Sequence, residues 1–126
     1  MTGALRGFLT EAGNEAPDDA VLLTKVILDS LAARYVAVIR TMERLTGRTV
    51  PGIHVVGGGS KNAYLNQATA NAAGLPVVAG PSEATAAGNI MVQAIASGEV
   101  ASLAAARELM GRAVELKTYL PEVRRS

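Results

Sequence analysis

Between Leu22 and Leu45 apolar side chains return every three or four positions: Leu22, Val26, Ile27, Leu31, Tyr35, Val38, Ile39, Met42 and Leu45. That spacing draws one wide apolar face along a helix, and the stripe is core packing rather than a cofactor box. Pro17 with Asp18 or Asp19 supplies the start signal and Gly47 the stop, so the pattern predicts a long helix from about Asp18 to Leu45. Upstream, Gly3, Gly7, Gly13 and Pro17 surround a short apolar patch at Leu5, Phe8 and Leu9, and residues 1–17 are expected to be a loop-rich lead-in.

Beyond Pro51-Gly52 the period changes. Ile53 to Val56 is a short apolar run, read as a strand covered on both faces, and Gly57-Gly58-Gly59 ends it. Asn62 to Ala73 follows as an Ala-rich helix stopped by Gly74, and Leu75 to Ala79 as a second short strand closed by Gly80-Pro81. Ser82 is placed to cap a helix over Glu83 to Ser97, which Gly98 stops. Ser102 is placed to cap another that runs to about Leu116.

The order helix, strand, helix, strand, helix, helix gives an α/β fold with two short strands and four or more helices. Two strands joined by a helical crossover are parallel with right-handed connection, and ligands of such sheets sit beyond the strands' carboxyl ends. Gly57 to Asn62 and Gly80 to Thr85 therefore belong to one rim. Two strands alone make a marginal sheet. Either a second copy supplies more, as a homo-oligomer, or the chain is the tail of a longer polypeptide whose earlier strands complete it; the second is simpler.

Composition narrows the classes. Among 126 residues, 49% are hydrophobic and 18% charged, which suits a packed domain and not a disordered segment. Twelve Lys and Arg against eleven Asp and Glu leave a net charge of +1, with no basic stripe for nucleic acid. The aromatic residues are Phe8, Tyr35, Tyr64 and Tyr119, too few for a base-stacking platform. The absence of cysteine removes thiolate chemistry and cysteine-based zinc sites. No apolar run reaches the roughly 18 residues of a membrane span, and no leader pattern opens the chain, so a cytoplasmic location and no membrane partner are expected.

The strand, glycine and helix junction at Ile53 to Asn62 is the principal chemical lead. It gathers backbone N–H groups and a helix N-terminus at one point, which suits an anion such as a nucleotide phosphate. Glycines also serve tight turns that bind nothing. Lys61 is placed to reach a phosphate or to stay solvated, since the run does not match G-x-x-x-x-G-K-[ST]. His54 lies within a strand and reads as structural filling. Glu83 and Asp29 form a carboxylate pair only if the fold brings them together; a helix-end role is the simpler reading. A dinucleotide-binding domain is a further class, but G-x-G-x-x-G counted from Gly57 puts Asn62 where the third glycine belongs, and no acidic residue ends the next strand. A noncatalytic interaction module that presents helix faces and a strand edge is another.

Four ordered blocks add a resemblance. Ile53-His54-Val55-Val56-Gly57-Gly58-Gly59-Ser60-Lys61-Asn62, then Leu65-Asn66-Gln67, then Gly74 to Pro81, then Glu83 to Ile90 resemble the C-terminal domain of FGGY carbohydrate kinases. The likeness extends upstream through Asp29-Ser30-Leu31-Ala32 to the Phe8 to Pro17 lead-in, so it covers nearly the whole chain. It implies that residues 1–126 are the C-terminal portion of the nucleotide-binding domain of a sugar kinase with the actin-like, ribonuclease H-like fold. In such kinases two domains close over Mg-ATP and a ketose. By position, Gly57, Gly58 and Gly59 would form the floor under the adenosine and its adjacent phosphate, and Asn62 would lie against the adenine, with an amide able to donate and accept. Glu83, Thr85 and Gly88 match a block that packs the next helix near the same pocket.

The resemblance also implies partners: an adenine nucleotide, ATP or ADP with Mg2+, and the N-terminal part of the kinase. Neither the sugar site nor the Asp that takes the sugar hydroxyl's proton matches anything here, and phosphoryl transfer depends on positioning by all these parts. The isolated chain is therefore expected to be inactive: incubation with ATP, Mg2+ and a ketose should yield no sugar phosphate above an enzyme-free control, and sustained turnover would contradict this.

Overall fold

A computed structural model describes residues 2–13 and 19–122. The described residues form five helices and a small sheet: α1 (Thr2–Glu11), α2 (Ala20–Thr46), β1 (Ile53–Val55), a 3-10 turn (Gly58–Lys61), α3 (Ala63–Ala73), β2 (Val77–Ala79), α4 (Ala84–Ala96), α5 (Leu103–Ala113) and β3 (Lys117–Tyr119). β1 and β2 are parallel, with Ile53 opposite Val77 and Val55 opposite Ala79, as the crossover requires. No helix is long and apolar enough to cross a membrane, among the described residues.

The long helix keeps its expected ends. The Asp19 carboxylate accepts the Val21 N–H at 2.8 Å, and Gly47 stops the helix at φ 67°, its N–H donating to the Glu43 carbonyl. Pro17 and Asp18 lie outside the described residues. The loop into β1 is fixed by Glu43, whose carboxylate accepts the Val50 N–H at 2.9 Å and the Arg40 guanidinium at 2.8 Å. The same Arg40 donates to the Ala73 carbonyl, joining the ends of α2 and α3.

α3 covers one face of the sheet. Its inward positions Leu65, Asn66, Thr69, Ala70 and Ala73 are buried, and three of these are small or short enough to bring the helix axis close. Ala70, Val77, Ala79 and Tyr119 form the core, with Ile53 and Val55 packed against it. Apolar area removed from water at this seam drives the assembly.

Four sequence expectations are corrected. Residues 2–11 form α1 where a loop-rich lead-in was expected: Leu5 and Leu9, four apart and half-buried, offset a cost of about 1 kcal/mol for each helical glycine. The last helix, α5, ends at Ala113 instead of near Leu116, and the sheet has a third strand, β3, antiparallel to β2, where two strands were expected. Ser82 does not cap α4; Glu83 occupies the N-cap without a side-chain capping bond. The glycines lead into α3 through the 3-10 turn and not directly. Ser102, by contrast, caps α5 by accepting the Ala105 N–H.

β3 returns close to Gly80. A Cβ on Gly80, at φ 117°, would lie 2.9 Å from the Glu115 carbonyl oxygen. Gly80→Ala should thus cost about 1–3 kcal/mol in urea unfolding, the range for a strained backbone position, and an unchanged midpoint would contradict this packing. A second prediction concerns acid. The Val50 N–H and then Arg40 hold the Glu43 carboxyl below its ordinary value of 4.5. A depressed folded-state value adds stability above pH 4.5 that is lost as pH falls below it. Urea midpoints measured at pH 7 and pH 3.5 should fall further for the native chain than for Glu43→Gln, and equal falls would contradict the assignment.

Candidate functional site

At the carboxyl ends of β1 and β2 the backbone crosses between the strands. The Gly80 N–H donates to the Val55 carbonyl at 2.8 Å, and the Gly57 N–H donates to the Pro81 carbonyl at 2.9 Å. The two loops that the sequence placed at one rim are thereby tied together. Gly57 takes φ 77° and ψ −162°, a conformation that side chains resist, and turns the chain away from the strand.

Beyond Gly57 the 3-10 turn is closed from within. The Ser60 N–H and hydroxyl both reach the Gly57 carbonyl, at 3.0 and 2.7 Å, and the Asn62 N–H reaches the Gly59 carbonyl at 3.1 Å. The N–H groups of Gly58 and Gly59 have no partner among the described residues. A Cβ on Gly57 or Gly58 would meet nothing within 4 Å, and one on Gly59 only a Val55 methyl at 3.9 Å. Two adjacent unpaired donors thus sit on a stretch of backbone that no side chain covers.

Asn62 is the N-cap of α3, its Oδ1 accepting the Leu65 N–H at 3.0 Å. A backbone N–H can face only the oxygen of the amide, so the cap fixes its orientation and leaves Nδ2 as the donor. The expectation that this amide both donates and accepts is narrowed, since its oxygen is engaged. Asn66, one turn on, is 1% exposed and donates from Nδ2 to the Ser60 carbonyl at 2.9 Å, bracing the turn from beneath. Its block was noted in the sequence but its role was not, because only the fold brings its amide under Ser60.

The other candidates are dispersed. Lys61 faces Glu83 across the rim, 4.0 Å apart, and both are well exposed. Asp29 instead joins the Lys25 ammonium and the Tyr64 hydroxyl, so Asp29 and Glu83 form no carboxylate pair. Lys25 and then Tyr64 hold the Asp29 carboxyl below its ordinary value. His54 shares a 2.6 Å hydrogen bond with the Gly80 carbonyl; a carbonyl only accepts, so Nε2 carries the hydrogen. That bond braces β1 against the end of β2. Thr85 is exposed in the first turn of α4.

Two cavities lie away from the glycine turn. One, of about 820 Å³, is bounded by Lys25, Asp29, Tyr64, Gln67 and Asn71 between α2 and α3. The other, about 450 Å³, lies between the sheet and the α4–α5 pair and is lined by His54, Gly88, Met91, Leu103 and Met110. Gly88 therefore faces α5 and not the glycine turn. No group of three or more His, Asp or Glu side chains is placed to hold a metal ion, among the described residues.

Residues 1–97 match the family model described as the FGGY family of carbohydrate kinases, C-terminal domain, and the chain belongs to that family. Its α/β architecture is that of the actin-like ATPase fold family. Rhamnulokinases are similar over nearly all of it: that of Bacteroides thetaiotaomicron is 46% identical over 97% of this chain. The rhamnulokinase of Lactiplantibacillus plantarum is 40% identical, and that of Bacillus subtilis 34%, each over 97% of this chain. In each case the match covers 25% of the relative, so the chain spans about a quarter of the length of these proteins.

The bracing of the turn by Asn66 is testable. Asn66→Ala strips the Ser60 carbonyl of its partner in a buried place and should destabilise the chain by about 1–3 kcal/mol. Hydrogen exchange should quicken first at Ser60 to Asn62; a variant as stable as the native chain would contradict the brace.

Proposed function

We propose that residues 1–126 are the C-terminal portion of the nucleotide-binding domain of an ATP-dependent sugar kinase, and that Gly57, Gly58, Gly59 and Asn62 form the adenosine side of its ATP site. The single observation that carries this reading is the pair of unpaired N–H groups at Gly58 and Gly59, on uncovered backbone beside the N-terminus of α3. Such donors suit the phosphate next to the ribose, and the positive end of the α3 dipole favours the same charge. The bare backbone lets a nucleoside lie flat where any side chain would stand in its way. Asn62 Nδ2 then donates to a ring nitrogen of adenine while its oxygen keeps the cap.

In the complete kinase the sugar is L-rhamnulose, a reading supported by the chain's similarity to rhamnulokinases. The reaction moves the terminal phosphoryl group of ATP to a sugar hydroxyl, and this chain's share is to seat the nucleotide. Mg2+ accompanies the nucleotide in this reading, bound to its phosphates. The kinase is cytoplasmic in this proposal.

Asn62 separates nucleotide contact from mere capping. An aspartate caps a helix about as well as an asparagine, whereas it cannot donate to a ring nitrogen. In calorimetric titrations with ADP and with adenosine, beside an NAD control, Asn62→Asp should keep the native unfolding midpoint yet bind adenosine about tenfold more weakly, the value of one hydrogen bond. Asn62→Ala should lose both binding and about 1 kcal/mol of stability. Equal adenosine binding by the native chain and Asn62→Asp would contradict the assignment of Asn62.

A further inference from the structure

Lys61 and Glu83 take no part in seating adenosine. They are nevertheless the only charged residues of the two loops that meet at the rim, Val56 to Asn62 and Gly80 to Thr85: one cation on the first, one anion on the second. The Gly57 N–H bond to the Pro81 carbonyl ties these loops together. Lys61 Nζ faces Glu83 Oε1 across that tie at 4.0 Å, so the pair spans the mouth between the loops.

The fold does not hold either charge for itself. Glu83 is the N-cap of α4 but makes no capping bond, so its carboxylate is not spent on the helix. Lys61 ends the 3-10 turn three positions after Gly58, and residues three apart in such a turn stand one above the other. Lys61 is thus in line with Gly58, next to the N–H groups of Gly58 and Gly59 that have no partner among the described residues. Its side chain is 70% exposed and that of Glu83 is 79% exposed. An ion pair in that much water is weak, and an anion of higher charge brought to the ammonium displaces the carboxylate.

We infer that Lys61 and Glu83 form a charge latch that makes the site select nucleoside di- and triphosphates over the bare nucleoside. The phosphate next to the ribose lies on the Gly58 and Gly59 donors. The phosphate beyond it takes the Lys61 ammonium from Glu83, and Glu83 tempers the gain by competing for the same charge. Adenosine brings no such charge and leaves the pair closed. Lys61 is here a binding residue, and Glu83 a positioning residue that acts through it. The inference rests on the nucleotide reading of the glycine turn, but does not require that Asn62 touch adenine.

The test is calorimetric titration of the chain and its variants with adenosine and with ADP at low salt. Both side chains are well exposed, so the variants should keep the native urea midpoint. Lys61→Met should weaken ADP about tenfold, the value of one charge-assisted hydrogen bond, and leave adenosine unchanged, while Lys61→Arg keeps the preference for ADP. Glu83→Gln should tighten ADP about threefold, the scale of an exposed ion pair, again without effect on adenosine. That gain should vanish when Lys61→Met is also present, which a merely structural role of Glu83 would not produce. In a lysine side-chain nitrogen spectrum, the signal lost in Lys61→Met should move with ADP and not with adenosine. Equal ADP binding by the native chain and Lys61→Met, or a Glu83→Gln gain that persists beside Lys61→Met, would overturn the latch. If ADP still shifts the Gly58 and Gly59 amides in that case, the nucleotide site stands without it; no ADP binding by the native chain would remove both.

Discussion

Everything at the candidate site depends on the pair of hydrogen bonds that lock the ends of β1 and β2 together, Gly80 N–H to the Val55 carbonyl and Gly57 N–H to the Pro81 carbonyl. Three-residue strands are too short to hold their loops by the ladder alone. The two crossing bonds extend the ladder past the strands and set the direction in which the chain leaves. From that fixed point Gly57 turns the backbone and Asn66 supports the turn from below. The unpaired donors of Gly58 and Gly59 follow from this geometry, because a 3-10 turn that closes on Gly57 leaves its first N–H groups free.

The same constraint fixes where the chain is most closely packed. Around α3 and β2 the packing is close: Ala70 and Val77 are fully buried, and small residues bring helix and sheet together. Away from this seam it thins out, and Leu31, Tyr35, Val38, Met42 and Leu45 along α2 are exposed. A chain that spans a quarter of its relatives has its firmest core where its own elements meet.

Much of this was legible because it is local. Asp19, Gly47, Asn62, Gly74 and Ser102 mark helix ends, and caps and left-handed stops depend on a few neighbouring residues. The glycine run announced the turn, and the crossover rule gave the parallel pair. Features set by distant contacts stayed hidden. α1 overrides the glycine content of its sequence through Leu5 and Leu9, and β3 exists because β2 offers it an edge. Asn66 acts on a carbonyl six residues earlier in the chain, across a turn whose shape is fixed by Gly57. The partition of the Asn62 amide was likewise unreadable, because only the cap decides which of its atoms is left for a ligand.

The most direct measurement is a two-dimensional nitrogen-proton spectrum of the labelled chain, recorded as adenosine and then ADP are added. The account predicts shifts at the backbone amides of Gly58 and Gly59 and at the side-chain NH2 of Asn62, larger at the glycines with ADP, while α5 and β3 stay still. Shifts gathered instead at the His54 and Met110 cavity, or none at the glycine turn under saturating ADP in a well-dispersed spectrum, would contradict it.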